Sequence, residues 1–169
     1  MSLADVVVTS GGVSIGPKDI MPHTLNSLGE SVIIFSGVAV KPGKPITAAL
    51  IGQKPVFSFP GHPTAALLMF HLLARPILQI MGGKGNSEAV SMNAIAKSRM
   101  FSAKGRRTFV MVHLKRDTSG RLLAESVESG ASGAITTLAK ADGYVEIAEN
   151  VQFIDINEEV RVWLLRENK

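Results

Sequence analysis

The chain has 169 residues, 46% of them hydrophobic and 19% charged, with a formal net charge of +4 and no cysteine. That length and polarity describe a globular chain with room for one domain or two small ones. The missing cysteine excludes disulfide scaffolds, thiolate metal sites and thiol catalysis. The longest apolar run, residues 64–81, carries His71, Arg75 and Pro76, which suits a buried helix better than a membrane span. The opening MSL is too short for a secretory leader, and a cytoplasmic location is expected.

The elements follow in chain order. Asp5 leads into VVVT, a β-branched run expected to form a strand covered on both faces. A glycine turn, SGGVSIG, follows it. Pro17 suits the first position of a helix reaching about Leu28, with Gly29 to close it. Residues 31–36 and 37–40 read as strands, and residues 46–51 and 55–59 as two more around the turns KPGKP and PGHP. Pro63 again opens a helix, in which Ala66, Leu67, Phe70, Ala74, Ile77 and Leu78 recur at helical spacing as far as Gly82. Repeated strand, glycine turn and helix give an α/β pattern with a mostly parallel sheet. A doubly wound domain has more strands and helices than this, so the front half of the domain is expected to lie upstream.

GGKGNSE, residues 82–88, marks a boundary, and the sequence beyond it is richer in charge. Residues 1–83 and 84–169 are therefore expected to be separate domains. Short alternating segments at 108–114, 122–127, 144–148 and 160–165, punctuated by DTSG, AKADG and INEE, predict a small all-β unit. The hydroxyl-rich stretch 130–138 reads as a loop leading to a short strand or turn.

Three turns could carry chemistry. In SGGVSIGPKD, paired glycines let the backbone approach a ligand, and successive amides between strand and helix attract anions. The spacing matches neither a dinucleotide fingerprint nor a Walker loop, and a lone Gly-Gly by itself favours the plainer reading, a tight turn needing positive φ. Asp19 is either a first-turn carboxylate favoured by the helix dipole or a magnesium ligand. KPGKP holds Lys41 and Lys44 in a bend stiffened by Pro42 and Pro45. It is either an exposed solubilising turn or a preorganised clamp for a doubly charged oxyanion. FPGHPTAA offers free amides at a helix start, with His62 a cap on the plain reading. The basic run Lys97, Arg99, Lys104, Arg106 and Arg107 is a solvated surface or a nucleic-acid contact. With few aromatics and no RNA-binding signature, no nucleic-acid partner is expected.

In their order and separations, SGGVSIGPKD, GVAVKPGKP and FPGHPTAA resemble the molybdopterin-binding domain of the MoeA/gephyrin E-domain family. GRRTFVMVHL, SGAITTLAKADGYVEI and NEEVRVWLL resemble that family's C-terminal β-barrel. The resemblance implies molybdenum cofactor biosynthesis: adenylylated molybdopterin and molybdate, with Mg2+, give molybdenum cofactor and AMP. It implies a C-terminal fragment lacking the family's TGDE-type loop and two preceding domains. By motif it places Ser10, Gly11, Gly12, Ser14 and Gly16 at the pterin phosphate, with Asp19 as metal ligand and catalytic carboxylate. Lys41, Lys44 and Pro45 would lie at the molybdate, Pro60, Gly61, Pro63 and Thr64 beside it, and Arg106 and Thr137 would come from the barrel. His62 stands where the family usually has asparagine, and Ala65 where serine is common. A homodimer is expected, with other cofactor-biosynthesis proteins as further partners and no membrane. The alternative is a non-catalytic scaffold module of the gephyrin kind.

Overall fold

The computed structural model describes residues 3–13, 20–85, 89–127 and 134–166. It divides into two compact units, residues 1–38 with 43–83, and residues 39–42 with 84–169.

In the first unit, β1 (Val7–Ser10) precedes α1 (Ile20–Ser27) and β2 (Ser31–Ser36). The two-residue β3 (Val40–Lys41) leaves this unit for the second. β4 (Thr47–Ile51) and β5 (Lys54–Phe59) follow, and then α2 (Pro63–Met69), a π-helical turn (Phe70–Ala74) and α3 (Arg75–Met81). The sheet order is β1-β5-β4-β2. Only β1 and β5 run parallel, while β5 with β4 and β4 with β2 are antiparallel. The parallel character anticipated from the sequence is thus confined to one pair. Gly52 and Gln53 alone join β4 to β5, and a two-residue connection can only fold the chain back as a hairpin.

Leu25 of α1 packs on Ala49 and Val56, with Val7, Met21, Ile33 and Ile51 around them. Phe57 and Phe59 stack with ring centroids 6.2 Å apart, and Phe70 meets Phe59 edge-on at 6.3 Å. β1 is not covered on both faces as expected: Val8 is 51% exposed. β1 and β2 are the edge strands of the sheet, and Val32 and Ile34 of β2 are exposed too.

The helical run Pro63–Met81 is long and apolar enough, by length and composition, to cross a bilayer. Its first part buries Thr64, Ala65, Leu68 and Met69, whereas α3 buries no residue and Ile77 is exposed. The apolar spacing read from the sequence therefore loses phase midway. Pro76 has no N–H to return to the Leu72 carbonyl, and the wide turn just before it absorbs the mismatch. His71 lies in that turn. Partial burial and then the positive charge of Arg75 lower its pKa below the ordinary 6.5.

The second unit contains β6 (Ser91–Ala96), β7 (Met100–Phe101), β8 (Arg107–Arg116), β9 (Leu122–Ser126), α4 (Ala134–Lys140), β10 (Gly143–Ile147), β11 (Phe153–Ile154) and β12 (Glu159–Leu164). The order β10-β12-β6-β9-β8 closes on itself because β10 also pairs with β8. This is a five-stranded barrel, to which β3 adds a short parallel strand on β8. Its centre holds Ala94, Ala96 and Ala124 among Val112, Val145, Ile147, Val160 and Val162. Small and β-branched residues together suit so narrow a barrel. Gly143 sits at the closing seam, where a Cβ would press into the carbonyl of Trp163 and stand 2.8 Å from Val162 Cγ1. Residues 134–140 form α4, where the sequence suggested a loop leading to a strand or turn.

Candidate functional site

Two of the three turns meet at one edge of the first unit's sheet. Because β1 and β5 are parallel and Ser10 stands opposite Phe59, the Gly-Gly turn and the PGHP turn leave the sheet side by side. The Gly11 amide donates to the Phe59 carbonyl at 2.9 Å, and Ser10 Oγ donates to the Pro60 carbonyl at 3.4 Å. Gly11 and Gly12 have φ of 91° and 71°, the left-handed region where a side chain is strained. A Cβ on Gly61 would lie 3.6 Å from Gly11 Cα, so the two turns are in near contact.

The third turn reaches the same edge from the other direction. β4 is antiparallel to β5 and begins at Thr47 opposite Ser58, so the residues just before Thr47 lie level with the end of β5. The bend is tied back by Gly37, whose amide donates to the Ile46 carbonyl at 2.7 Å, and by Val38, whose amide donates to Lys44 at 2.9 Å. Gly43 is buried at φ 110°, with its Cα turned toward Met69 of α2. Lys44 is exposed. The result is a cation on a braced turn beside two backbone-rich turns, a combination that suits an oxyanion.

The two lysines of KPGKP do not share a unit. Lys41, joined to Pro42 by a cis peptide, belongs to β3 and pairs with Thr108 of the barrel. Arg106 is exposed on the tight turn just before β8, and Thr137, 3% exposed, lies in α4. Pro60 and Thr64 are buried, whereas Gly61, His62 and Pro63 are exposed. His62 caps α2 through its carbonyl alone, which accepts from the Ala66 amide at 2.9 Å, with no side-chain cap bond. Ser14, Gly16 and Asp19 lie outside the described residues. Among the described residues no group of three or more His, Asp or Glu could hold a metal ion.

One feature of this edge has no signal in the sequence. Thr9 of β1, Ser58 of β5, Thr47 of β4 and Ser36 of β2 stand opposite one another across all four strands. Ser36 and Thr47 share a hydrogen bond at 3.1 Å, but the buried hydroxyls of Thr9 and Ser58 have no partner among the described residues. Only the strand register aligns them. In the basic run, by contrast, much of the charge is already paired: Lys97 with Glu125, Arg99 with Asp155, and Arg107 with Glu146 and Glu149. That leaves less free charge for phosphates than the sequence suggested.

Comparison with known proteins supports the same division. The family described as a probable molybdopterin binding domain matches residues 1–80, and the MoeA C-terminal region (domain IV) matches residues 93–165. A protein named for molybdopterin biosynthesis in Methanocaldococcus jannaschii is 32% identical over 98% of this chain and 38% of its own length. The molybdopterin molybdenumtransferase of Bacillus subtilis is 29% identical over 99% of this chain and 38% of its own length. Among solved structures, a molybdopterin biosynthesis MoeA protein of Pyrococcus horikosii superposes with a TM-score of 0.82 at 38% identity, covering 98% of this chain and 38% of that one. The chain thus spans about two fifths of the length of these relatives. Two family matches in tandem, one on each unit of a fold shared with a MoeA structure, make this chain a member of the MoeA family over the part it spans.

Proposed function

We propose that this chain supplies the anion-binding face of a molybdopterin molybdenumtransferase, the enzyme that turns adenylylated molybdopterin and molybdate into molybdenum cofactor and AMP. The observation that carries the reading is the approach of three turns to one sheet edge, with exposed Lys44 on a bend fixed by backbone hydrogen bonds. In this reading Lys44 neutralises charge on molybdate. The Gly12 amide faces the pterin phosphate, next to Gly11, whose own amide is held by the Phe59 carbonyl, and the Pro60–Gly61 turn walls the site. Catalysis is then positioning and charge stabilisation, with little covalent work for the protein.

Lys41, Arg106 and Thr137 keep the roles the resemblance implies, as do Asp19 and Mg2+, together with a homodimer and a cytoplasmic location. The scaffold alternative gains nothing from relatives named for biosynthesis and transfer. The test is Lys44→Ala in a full-length protein containing this chain, with AMP release followed as molybdate is varied. The expected result is an apparent KM for molybdate raised roughly tenfold or more, as for a lost charge-assisted hydrogen bond. An unchanged molybdate dependence overturns the assignment.

A further inference from the structure

The barrel has an open mouth. A cavity of ≈ 360 Å³ lies there, lined by Met92, Leu114, Leu122 and Leu164 with Ala139 and Ala141, and by His113, Asp142 and Arg166. It lies wholly within the second unit. Leu114 ends the inward-facing row of β8, Leu122 opens β9 and Leu164 closes β12, and all three pack on the barrel core. The floor is therefore aliphatic. Its volume falls at the small end of the range for small-molecule sites, roughly 300–1,000 Å³, and barrel mouths are a recurrent place for them.

The polar groups are a specific set. Asp142 is fixed by its own backbone, since its amide donates to Val112 at 2.9 Å and its carbonyl accepts from Leu165 at 3.0 Å. Its Oδ2 accepts both His113 Nδ1 at 2.6 Å and the Leu114 amide at 2.8 Å. Both bonds fall on one oxygen, which leaves Oδ1 as a free acceptor. A neutral imidazole that donates from Nδ1 has Nε2 as an acceptor, so the ring adds a second. Arg166 supplies a forked donor that never loses its charge.

Two acceptors, one cationic fork and an aliphatic floor form the complement of a zwitterion with an apolar body. A simple carboxylate would leave Asp142 unanswered, and a simple amine would leave Arg166 so. The geometry points to a binding site for a free α-amino acid with a large aliphatic side chain. Its ammonium group lies at Asp142 and His113, its carboxylate at Arg166, and its side chain among Leu114, Leu122 and Leu164. Neither family match assigns a ligand there.

The test is titration of the full 15N-labelled chain with L-leucine, read by amide chemical shifts. Saturable shifts are expected at Leu114, Asp142, Leu164 and Arg166. N-acetyl-leucine, which lacks the ammonium group, and leucinamide, which lacks the carboxylate, should each bind roughly tenfold or more weakly, and glycine should bind no better than they do. Arg166→Ala, at an exposed position, should weaken leucine to the level of leucinamide, with the spectrum showing the fold intact. Leu122→Trp, which fills the floor, should abolish the shifts. Absence of saturable shifts with leucine overturns the proposal. So does equal binding of leucine, its acetylated form and its amide, or an undiminished affinity in Arg166→Ala.

Discussion

Gly43→Ala probes the bend between the two lysines most directly. A Cβ at Gly43 would stand 2.7 Å from both Cγ and Sδ of Met69 and 2.8 Å from its Cε, and Met69 is itself only 1% exposed. Holding an alanine at φ 110° costs about 1–3 kcal/mol. Pushing a packed side chain aside costs about 1–3 kcal/mol more. The sum, roughly 2–6 kcal/mol, is a large share of the 5–15 kcal/mol that holds a typical domain together. Urea unfolding followed at 222 nm, where the helices of the first unit contribute most, should show a lower midpoint at unchanged slope. Met69→Ala alone should cost about 2–5 kcal/mol by opening a cavity. The double variant should cost less than the two together by about the steric share, roughly 1–3 kcal/mol. Strict additivity, or a loss below about 0.5 kcal/mol for Gly43→Ala, refutes the idea that this contact sets the bend.

Gly143→Ala should open the barrel seam, because the Trp163 carbonyl that a Cβ would strike is backbone held in the β10–β12 ladder. A loss of about 3 kcal/mol or more is expected by Trp163 fluorescence in urea, and a wild-type midpoint would contradict it. Ser58→Ala removes a fully buried hydroxyl without a partner, so stability should hold or rise by up to about 1 kcal/mol. A clear loss in the same urea titration would mean that a buried water satisfies that group. The fold keeps His71 neutral while the unfolded chain protonates it near 6.5, so the stability it confers is complete above that pH and lost as pH falls through and below it. His71→Leu should flatten stability measured between about pH 7 and pH 5.5, and an unaltered slope would exclude the ring as its source. The Ile156 amide and Arg99 hold the Asp155 carboxyl below its ordinary 3.8. Its contribution is therefore present above that pH and lost as acid protonates it. Asp155→Asn should lose this acid-range dependence in thermal melts at graded pH.

The turns were legible in the sequence because glycine and proline impose their geometry locally. SGG, KPGKP and PGHP each sit at a strand end as their residue types require. The alternation of β8, β10 and β12 was equally plain. Strand direction was not, because a two-residue link such as Gly52–Gln53 weighs little in a local pattern yet reverses a strand. The π-turn before Pro76 moved the buried stripe of the long helix off its expected phase. α4 escaped because Ile135, Thr136 and Thr137 interrupt its better helix formers, and seven residues are too few to display a helical period. The hydroxyl row and the barrel mouth escaped for a different reason. Thr9 and Ser58, or Met92 and Asp142, are brought together only by register and barrel closure, contacts that carry no signature in neighbouring residues.

β3 carries a consequence for biosynthesis. The polypeptide passes between its two units after Val38, after Pro42 and after Gly83, because residues 39–42 interrupt the sequence of the first unit and belong to the second. During vectorial synthesis Lys41 leaves the ribosome long before Arg107 and Thr108, the residues of β8 that give it a ladder. Its backbone acquires this ladder only once β8, more than sixty residues further on, has also emerged. A single cut at residue 84 would likewise strip β8 of a neighbour strand and leave its rim open to stray pairing.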